Sequence, residues 1–360
     1  AGVTGWRIEG ELPPLPGQDR SLGVAGPVTG VVLDFFVIGG GANFPDSMPW
    51  LGGKKKYYNE VYVLRKGENG TLQPYKVYQL PFPIAYAANV TLPGGIVSAG
   101  GDNEQGVSGK VLLLRWDSPA DSLVISYLPD LPEPVTNASV TAIGNVVYLA
   151  GGETATGVSQ RFYSLDTGIP NGGWETLPDL PKPVSHTVMV AQSDGDTPGI
   201  YLVGGRKRNA GSTSDLYSSV FRYDPRTKDW SPRRPLPYSL SAGTGMATGE
   251  NGILLFGGDR GETFHKTESL IAAIAKETDE QRKKELNDQK IALQSGHPGF
   301  SQEVLRYNTK EDAWTVEGTL PFETPVTTTA VKWGSEVIIP SGEIRAGVRT
   351  SRILAGRLKH

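Results

Sequence analysis

Short apolar runs recur along the chain, and each closes on a glycine doublet. Phe35-Phe36-Val37-Ile38 leads into Gly39-Gly40, Val146-Val147-Tyr148-Leu149 into Gly151-Gly152, and Ile200-Tyr201-Leu202-Val203 into Gly204-Gly205. Ile253-Leu254-Leu255-Phe256 precedes Gly257-Gly258, Val337-Ile338-Ile339 precedes the variant Ser341-Gly342, and one more doublet stands at Gly100-Gly101. Runs this short, rich in β-branched and aromatic residues and bounded by turn formers, predict strands buried on both faces. Glycine at a strand exit permits unusual φ and close packing. Successive doublets are 61, 51, 53, 53 and 84 residues apart. A period near 50 residues is that of a kelch-type propeller blade.

A second marker has a rigid spacing. Trp174, Trp230 and Trp314 are each followed six residues later by a Leu-Pro pair, at Leu180-Pro181, Leu236-Pro237 and Leu320-Pro321. The tryptophan marks the outer part of a blade, and the proline ends that strand where the chain leaves for the next. Two blades keep only the exit, at Leu80-Pro81 and Leu131-Pro132. Trp6, followed by Leu12-Pro13, begins an outer strand with no inner strands before it, while the last repeat runs to His360 with no tryptophan strand after it. The two halves complete each other. The expectation is therefore an all-β, six-bladed kelch-type β-propeller, a single domain over 1–360, in which the N-terminal strand closes the blade begun by residues 322–359. Closure of that kind leaves no long open sheet edge.

The long fifth spacing holds an insertion, about 262–300. Thr267 to Lys276 and Glu280 to Leu293 are rich in strong helix formers, which predicts one or two helices with Leu270, Ile271, Ile274, Leu286 and Ile291 as contact residues. It follows a doublet, so it emerges on the face that carries Glu343. A lid and a solvated decoration are both open at this point.

Composition narrows the function. Gly 46 and Pro 27 among 360 residues, about a fifth of the chain and spread along it, read as many turns rather than disorder. A net charge of -3 gives no basic footprint for nucleic acid. No apolar run approaches the roughly 18 residues of a membrane helix. With no cysteine there are no disulfides, thiolate metal sites or thiol nucleophile. The four histidines, His186, His265, His297 and His360, lack metal-ligand spacing, so no metal is expected. Neither a Gly-x-Ser-x-Gly elbow nor a phosphate-binding Gly-Lys-Ser/Thr loop is present. The chain opens Ala-Gly-Val without an initiator Met or an apolar signal region, so either form of the start, trimmed or processed, is open.

Propeller sites belong on the loops around the channel mouth, held by a rigid ring. In the last blade that zone contains Ser341-Gly-Glu-Ile-Arg-Ala-Gly-Val-Arg-Thr350, with Glu343 six residues before Arg349. From spacing alone the pair reads as an incidental surface ion pair more readily than as a chemical centre. His186, where the fourth blade begins, points into the channel or is a satisfied packing histidine.

The Ser-Gly-Glu-x-x-x-Gly-Val-Arg-Thr stretch resembles the Asn-Gly-Glu-x-x-x-Gly-Leu-Arg-Thr motif of the N-acetylneuraminate epimerases, sialic acid mutarotases on a six-bladed kelch propeller. The insertion before Tyr307-Asn308 is similar to one in that family, as are Gly23-Val-Ala-Gly26 with Gly39-Gly-Gly-Ala-Asn-Phe44 and, less specifically, Val220 to Trp230. The likeness covers essentially the whole chain in rotated order, which resembles a cyclically permuted branch and agrees with the split blade. It implies a carbohydrate isomerase that interconverts α and β anomers of N-acetylneuraminate, without cofactor, in the periplasm or secreted. By motif match Glu343 is the general base and acid, and Arg349 a clamp on the substrate carboxylate. Further candidate sugar contacts on the rim are Asn43, Tyr86, Asn137, His186, Asn209 and Arg345. A non-catalytic kelch module binding glycan or protein, and a mutarotase of another acidic sugar, are the alternatives.

Overall fold

The apolar runs form the second strand of each of six four-stranded antiparallel sheets in a computed structural model that describes residues 2–15 and 17–359. His360 lies outside those residues. The first blade comprises Val28–Val32, Phe35–Gly39, Glu60–Lys66 and Leu72–Gln79, and the second Ala88–Leu92, Gly95–Ala99, Val111–Asp117 and Ser122–Leu128. The third holds Ser139–Ile143, Val146–Ala150, Phe162–Asp166 and Glu175–Leu177, and the fourth Val188–Ser193, Pro198–Val203, Val220–Asp224 and Asp229–Arg233. The fifth is Thr244–Thr248, Gly252–Phe256, Glu303–Asn308 and Ala313–Thr319. In the sixth, Val331–Trp333, Glu336–Pro340 and Arg352–Leu358 are completed by the N-terminal Val3–Glu11, antiparallel to Arg352–Leu358. The ring is thus closed within one blade, as the Trp6 spacing predicts.

Each sheet is apolar on both faces because its neighbours are other blades. Phe36 and Ile38 of the first blade pack with Ile338, Ile353 and Ala355 of the sixth. Leu254 and Phe256 of the fifth meet Val337, Ile339 and Leu354 from the other side. Trp6 lies edge-on to Phe256 with ring centroids 5.7 Å apart, so the N-terminal strand seals the junction between fifth and sixth blades. The six exit leucines, Leu12, Leu80, Leu131, Leu180, Leu236 and Leu320, are all buried. Each contributes roughly 1.5–3 kcal/mol of apolar burial at the same point of its blade.

The inner end of the ring is fastened by the backbone. Tyr86 N–H donates to Gly26 O, Asn137 to Tyr86, His186 to Asn137, Ala242 to His186, Thr327 to Ala242, and Gly26 to Thr327, at 2.6–3.2 Å. The circuit passes through every blade and returns to its start. All six residues sit at φ between 54° and 64°, a left-handed conformation costly for the five that are not glycine. The six residues line a central channel cavity of about 490 Å³ together with the innermost strands.

The doublets also hold left-handed φ, but in the first blade they are Gly40 (60°) and Gly41 (87°). Gly39 belongs to the strand, so the predicted doublet Gly39-Gly40 is one residue early. Ser341 (56°) and Gly342 (99°) occupy the corresponding places in the sixth blade. Ser341 compensates for its strain by accepting from Val24 N–H at 2.8 Å and donating to the Thr350 carbonyl at 2.7 Å.

The insertion is two helices, α1 (Glu262–Lys276) and α2 (Glu280–Ser295). Leu286 is buried, and Leu270, Ile274 and Ile291 are half-buried. Ile271 departs from the expectation of a packed contact: it is 49% exposed and faces a cavity. Among the described residues no helix is long and apolar enough to cross a membrane.

Candidate functional site

One residue after the doublet in each blade makes an isolated bridge back to the residue before the hydrogen-bonded circuit. The pairs are Ala25 with Ala42, Ala85 with Asp102, Thr136 with Glu153, Ser185 with Arg206, Ser241 with Asp259 and Val326 with Glu343. Ala42, Asp102, Glu153, Arg206, Asp259 and Glu343 are therefore equivalent positions around the channel mouth. Five of the six carry charge. Glu343 is the sixth blade's version of a rim position.

Arg206, Asp259 and Glu343 share a cavity of about 520 Å³, walled on one side by the Arg208–Ser212 loop of the fourth blade and on the other by α1, through Thr263, Phe264, Thr267, Glu268 and Ile271. That volume lies within the usual range of small-ligand sites. The wall is fixed in place. Glu268 of α1 accepts from both the backbone N–H and the hydroxyl of Ser214 at 2.8 Å each, and Asp259 Oδ1 accepts from Gly261 N–H at 2.7 Å where the helix begins.

The side chain of Glu343 is 23% exposed, and its carboxylate accepts from Arg349 Nη1 at 2.7 Å through Oε2. Its backbone exchanges both hydrogen bonds with Val326, which fixes the direction of the side chain. Arg349 lies beneath it, with its side chain only 3% exposed. Nε donates to the Ala42 carbonyl at 3.2 Å and Nη2 to Tyr86 Oη at 3.2 Å, while the guanidinium lies 5.0 Å from the Phe44 ring centroid. Arg349 is thus surrounded by protein acceptors and is not part of the cavity wall, whereas Glu343 is.

Tyr86 is held between two cations, since Lys55 Nζ also donates to its hydroxyl at 3.2 Å and sits 4.8 Å from its ring centroid. Asn137 and His186 join Tyr86 on the channel lining. Asn137 Nδ2 donates to Glu153 at 3.4 Å, and His186 Nδ1 lies 2.8 Å from Ser185 Oγ and 3.9 Å from Glu153. Burial, followed by the charges of Arg206 and Arg208, holds the His186 pKa well below its ordinary value, so the ring is neutral at pH 7. Asn209 reaches the α1 cavity, with its amide bonded to Thr213 and Asp215.

Two candidates stand elsewhere. Asn43 is buried, donating to the Gly23 carbonyl at 2.9 Å and accepting from Tyr58 Oη at 2.8 Å. It is one residue beyond the rim position Ala42, and strand alternation turns it to the other side. Arg345 is exposed and pairs with Glu323 at 3.3 Å.

Arg206, Asp259, Phe264 and His297 share the cavity with Glu343 and were not among the sequence candidates. The guanidinium of Arg206 lies 4.3 Å from the Phe264 ring centroid, and its Nη1 donates to Ser241 Oγ at 3.2 Å. Burial draws its pKa down, opposed by Asp259, Glu153 and Glu343, whose charges reach it. The signal was positional: each rim residue directly follows its doublet.

The family model described as N-acetylneuraminate epimerase matches residues 128–360. A protein of Salmonella typhimurium described as N-acetylneuraminate epimerase is 29% identical over 230 residues, 63% of this chain and 57% of its own. Similar proteins of that description from Vibrio vulnificus and Haemophilus influenzae are each 25% identical, covering 63% and 64% of this chain and 58% and 59% of theirs. The chain thus spans less than two thirds of the length of these curated relatives. A solved chain described as "Structure of YjhT" superposes with a TM-score of 0.63 at 14% identity, covering 96% of each chain, and supports the propeller fold.

Proposed function

Because the chain belongs to the N-acetylneuraminate epimerase family, we propose that it interconverts the α and β anomers of N-acetylneuraminate by acid–base ring opening in the cavity beside α1. Glu343 carries the proposal: it is the carboxylate on the cavity wall whose orientation is set by a buried guanidinium. Ring opening takes the proton from the anomeric hydroxyl, forms the C2 carbonyl as the bond from C2 to the ring oxygen breaks, and returns a proton to that oxygen. The open chain then turns its other carbonyl face to the hydroxyl, and the reverse steps close the opposite anomer. Both oxygens are bonded to the same carbon, so a single carboxylate reaches the proton donor and the proton acceptor in turn. Oε2 of Glu343 holds Arg349, and Oε1 has no hydrogen-bond partner among the described residues.

Arg349 stays protonated and cannot shuttle the proton. Its three protein acceptors support a positioning role, with Glu343 held at one angle, in place of the direct carboxylate clamp expected from the motif. A periplasmic or secreted location belongs to the same proposal, and fractionation of the native host tests it.

The test follows freshly released α-N-acetylneuraminate by NMR with wild type and Glu343→Gln. Wild type is expected to accelerate equilibration, and the variant to lose ~10²–10⁴-fold. No acceleration by folded wild type rejects the substrate assignment, and tight binding without acceleration favours a glycan-binding module. Full activity in Glu343→Gln removes that residue from the mechanism while leaving the reaction standing.

A further inference from the structure

An acidic sugar brings a carboxylate that needs a cation, and the guanidinium of Arg349 is already engaged by Ala42, Glu343 and Tyr86. We propose that Arg206 is the residue of the cavity that recognises the substrate carboxylate and that the helical insertion exists in part to build it. This rests on reading the cavity as a sugar site.

Arg206 occupies the same rim position in the fourth blade that Glu343 occupies in the sixth, and both face the same cavity. Its backbone is fixed by a pair of hydrogen bonds with Ser185 at 2.8 and 2.9 Å. The one side-chain hydrogen bond of its guanidinium among the described residues is Nη1 to Ser241 Oγ, leaving the Nε and Nη2 donors for a ligand. Asp259, Glu153 and Glu343 act on it through their charges, yet none forms an ion pair with it. A planar, charged fork with free donors on a cavity wall suits bidentate carboxylate binding.

Phe264 of α1 covers one face of that fork. Covering the face removes water from it and directs a carboxylate to the edge, where its donors lie. The ring is in turn held in place because α1 is tied to the fourth blade through Glu268 and Ser214. In a 2-keto acid sugar the carboxylate is bonded to the anomeric carbon itself. Holding the carboxylate at Arg206 therefore fixes the reacting carbon within the cavity that Glu343 lines. Arg208, 68% exposed and 3.6 Å from Glu153, lies farther out on the same loop and has an acidic partner already.

Ligand-observed NMR titration decides the matter, comparing N-acetylneuraminate with its methyl ester, and glucuronate with glucose, on wild type, Arg206→Gln and Phe264→Leu. Wild type is expected to prefer an acid over its neutral counterpart by ~10- to 100-fold, the usual worth of a charge-assisted hydrogen-bonded pair. Arg206→Gln should bring that preference close to unity, and Phe264→Leu should reduce it several-fold with the positive charge retained. An unchanged preference in folded Arg206→Gln overturns the proposal, as does wild type that binds none of the acids. Should Arg206→Gln fail to fold, Phe264→Leu decides: an undiminished preference there is the overturning result. Wild type that binds acids through Arg206 but does not accelerate anomer exchange refutes the isomerase reading alone.

Discussion

At the scale of single residues, the pairing of Glu343 with Arg349 is a matter of geometry more than of charge. Three donors of one planar guanidinium reach three acceptors in different directions: a backbone carbonyl, a carboxylate and a phenol. A lysine ammonium radiates its donors from one point and cannot serve all three. Arg349→Lys is therefore expected to lower the rate of anomer exchange at least ~10-fold and to lower stability by about 1–3 kcal/mol, the cost of leaving buried acceptors unpaired. Mutarotation kinetics and urea midpoints check both. His186 gives a pH prediction. Its folded pKa lies below its unfolded value of 6.5, so the unfolded chain binds the extra proton first as pH falls. Stability is complete above pH 6.5 and declines as the pH drops below it toward the folded pKa. His297, depressed chiefly by burial, acts with the same sign. Urea midpoints measured from pH 7.5 to 5 should fall for wild type and fall less for His186→Gln; equal slopes would remove His186 as the cause.

At the scale of elements, the insertion is a wall attached by a few specific bonds. Its inner face meets the cavity through Phe264, Thr267 and Ile271, and the carboxylate of Glu268 is the tie to the propeller. Glu268→Ala removes both bonds to Ser214. Amide exchange over 262–276 is expected to quicken while the blade strands keep their protection, because local opening draws on local contacts. Unchanged exchange in α1 would mean that apolar packing alone holds it. Helix propensity made the helical character of the insertion legible from sequence, as one or two helices, and Leu286 as a contact residue within it. The role of Ile271 was not legible, since a large apolar residue facing a ligand cavity looks identical, in sequence, to one facing a core. The rim positions were hidden for a different reason. Ala42, Asp102, Glu153, Arg206, Asp259 and Glu343 share a location but no single residue type, and both signs of charge occur among them, so only their offset from the doublets aligns them. In the first blade the doublet read from sequence at Gly39-Gly40 stands one residue early, which puts Gly41 where Ala42 belongs. By contrast Tyr86, Asn137 and His186 fall on one structural circuit because each precedes the innermost strand of its blade at a constant offset.

For the whole molecule, the decisive clue was the rigid interval from Trp6 to Leu12-Pro13, which required a partner at the far end of the chain. The structure supplies it in detail: Val3–Glu11 lies along Arg352–Leu358, and Lys359 N–H donates to the Gly2 carbonyl at 2.9 Å. Glu336 then binds the closure to the next blade, accepting from Arg7 of the N-terminal strand and from Lys66 of the first blade at 2.5 Å each. A ring whose ends meet within one blade has no privileged starting point, so its folding should depend on the outer strand being present and hardly at all on where the chain is cut. Two altered chains separate these requirements. One joins residue 359 to residue 2 through a short glycine linker and opens the chain in the exposed 132–134 connection between the second and third blades. It is expected to remain monodisperse by size exclusion and to melt within a few degrees of wild type. The other deletes residues 2–11, baring the edge of Arg352–Leu358 and the Phe256 face that Trp6 covers. An unpaired strand over an apolar face is a template for aggregation, so this chain is expected to precipitate or melt far lower. Should the deleted chain fold normally while the relinked one fails, strand closure would not be what holds the ring, and the hydrogen-bonded circuit through Gly26, Tyr86, Asn137, His186, Ala242 and Thr327 would have to suffice alone.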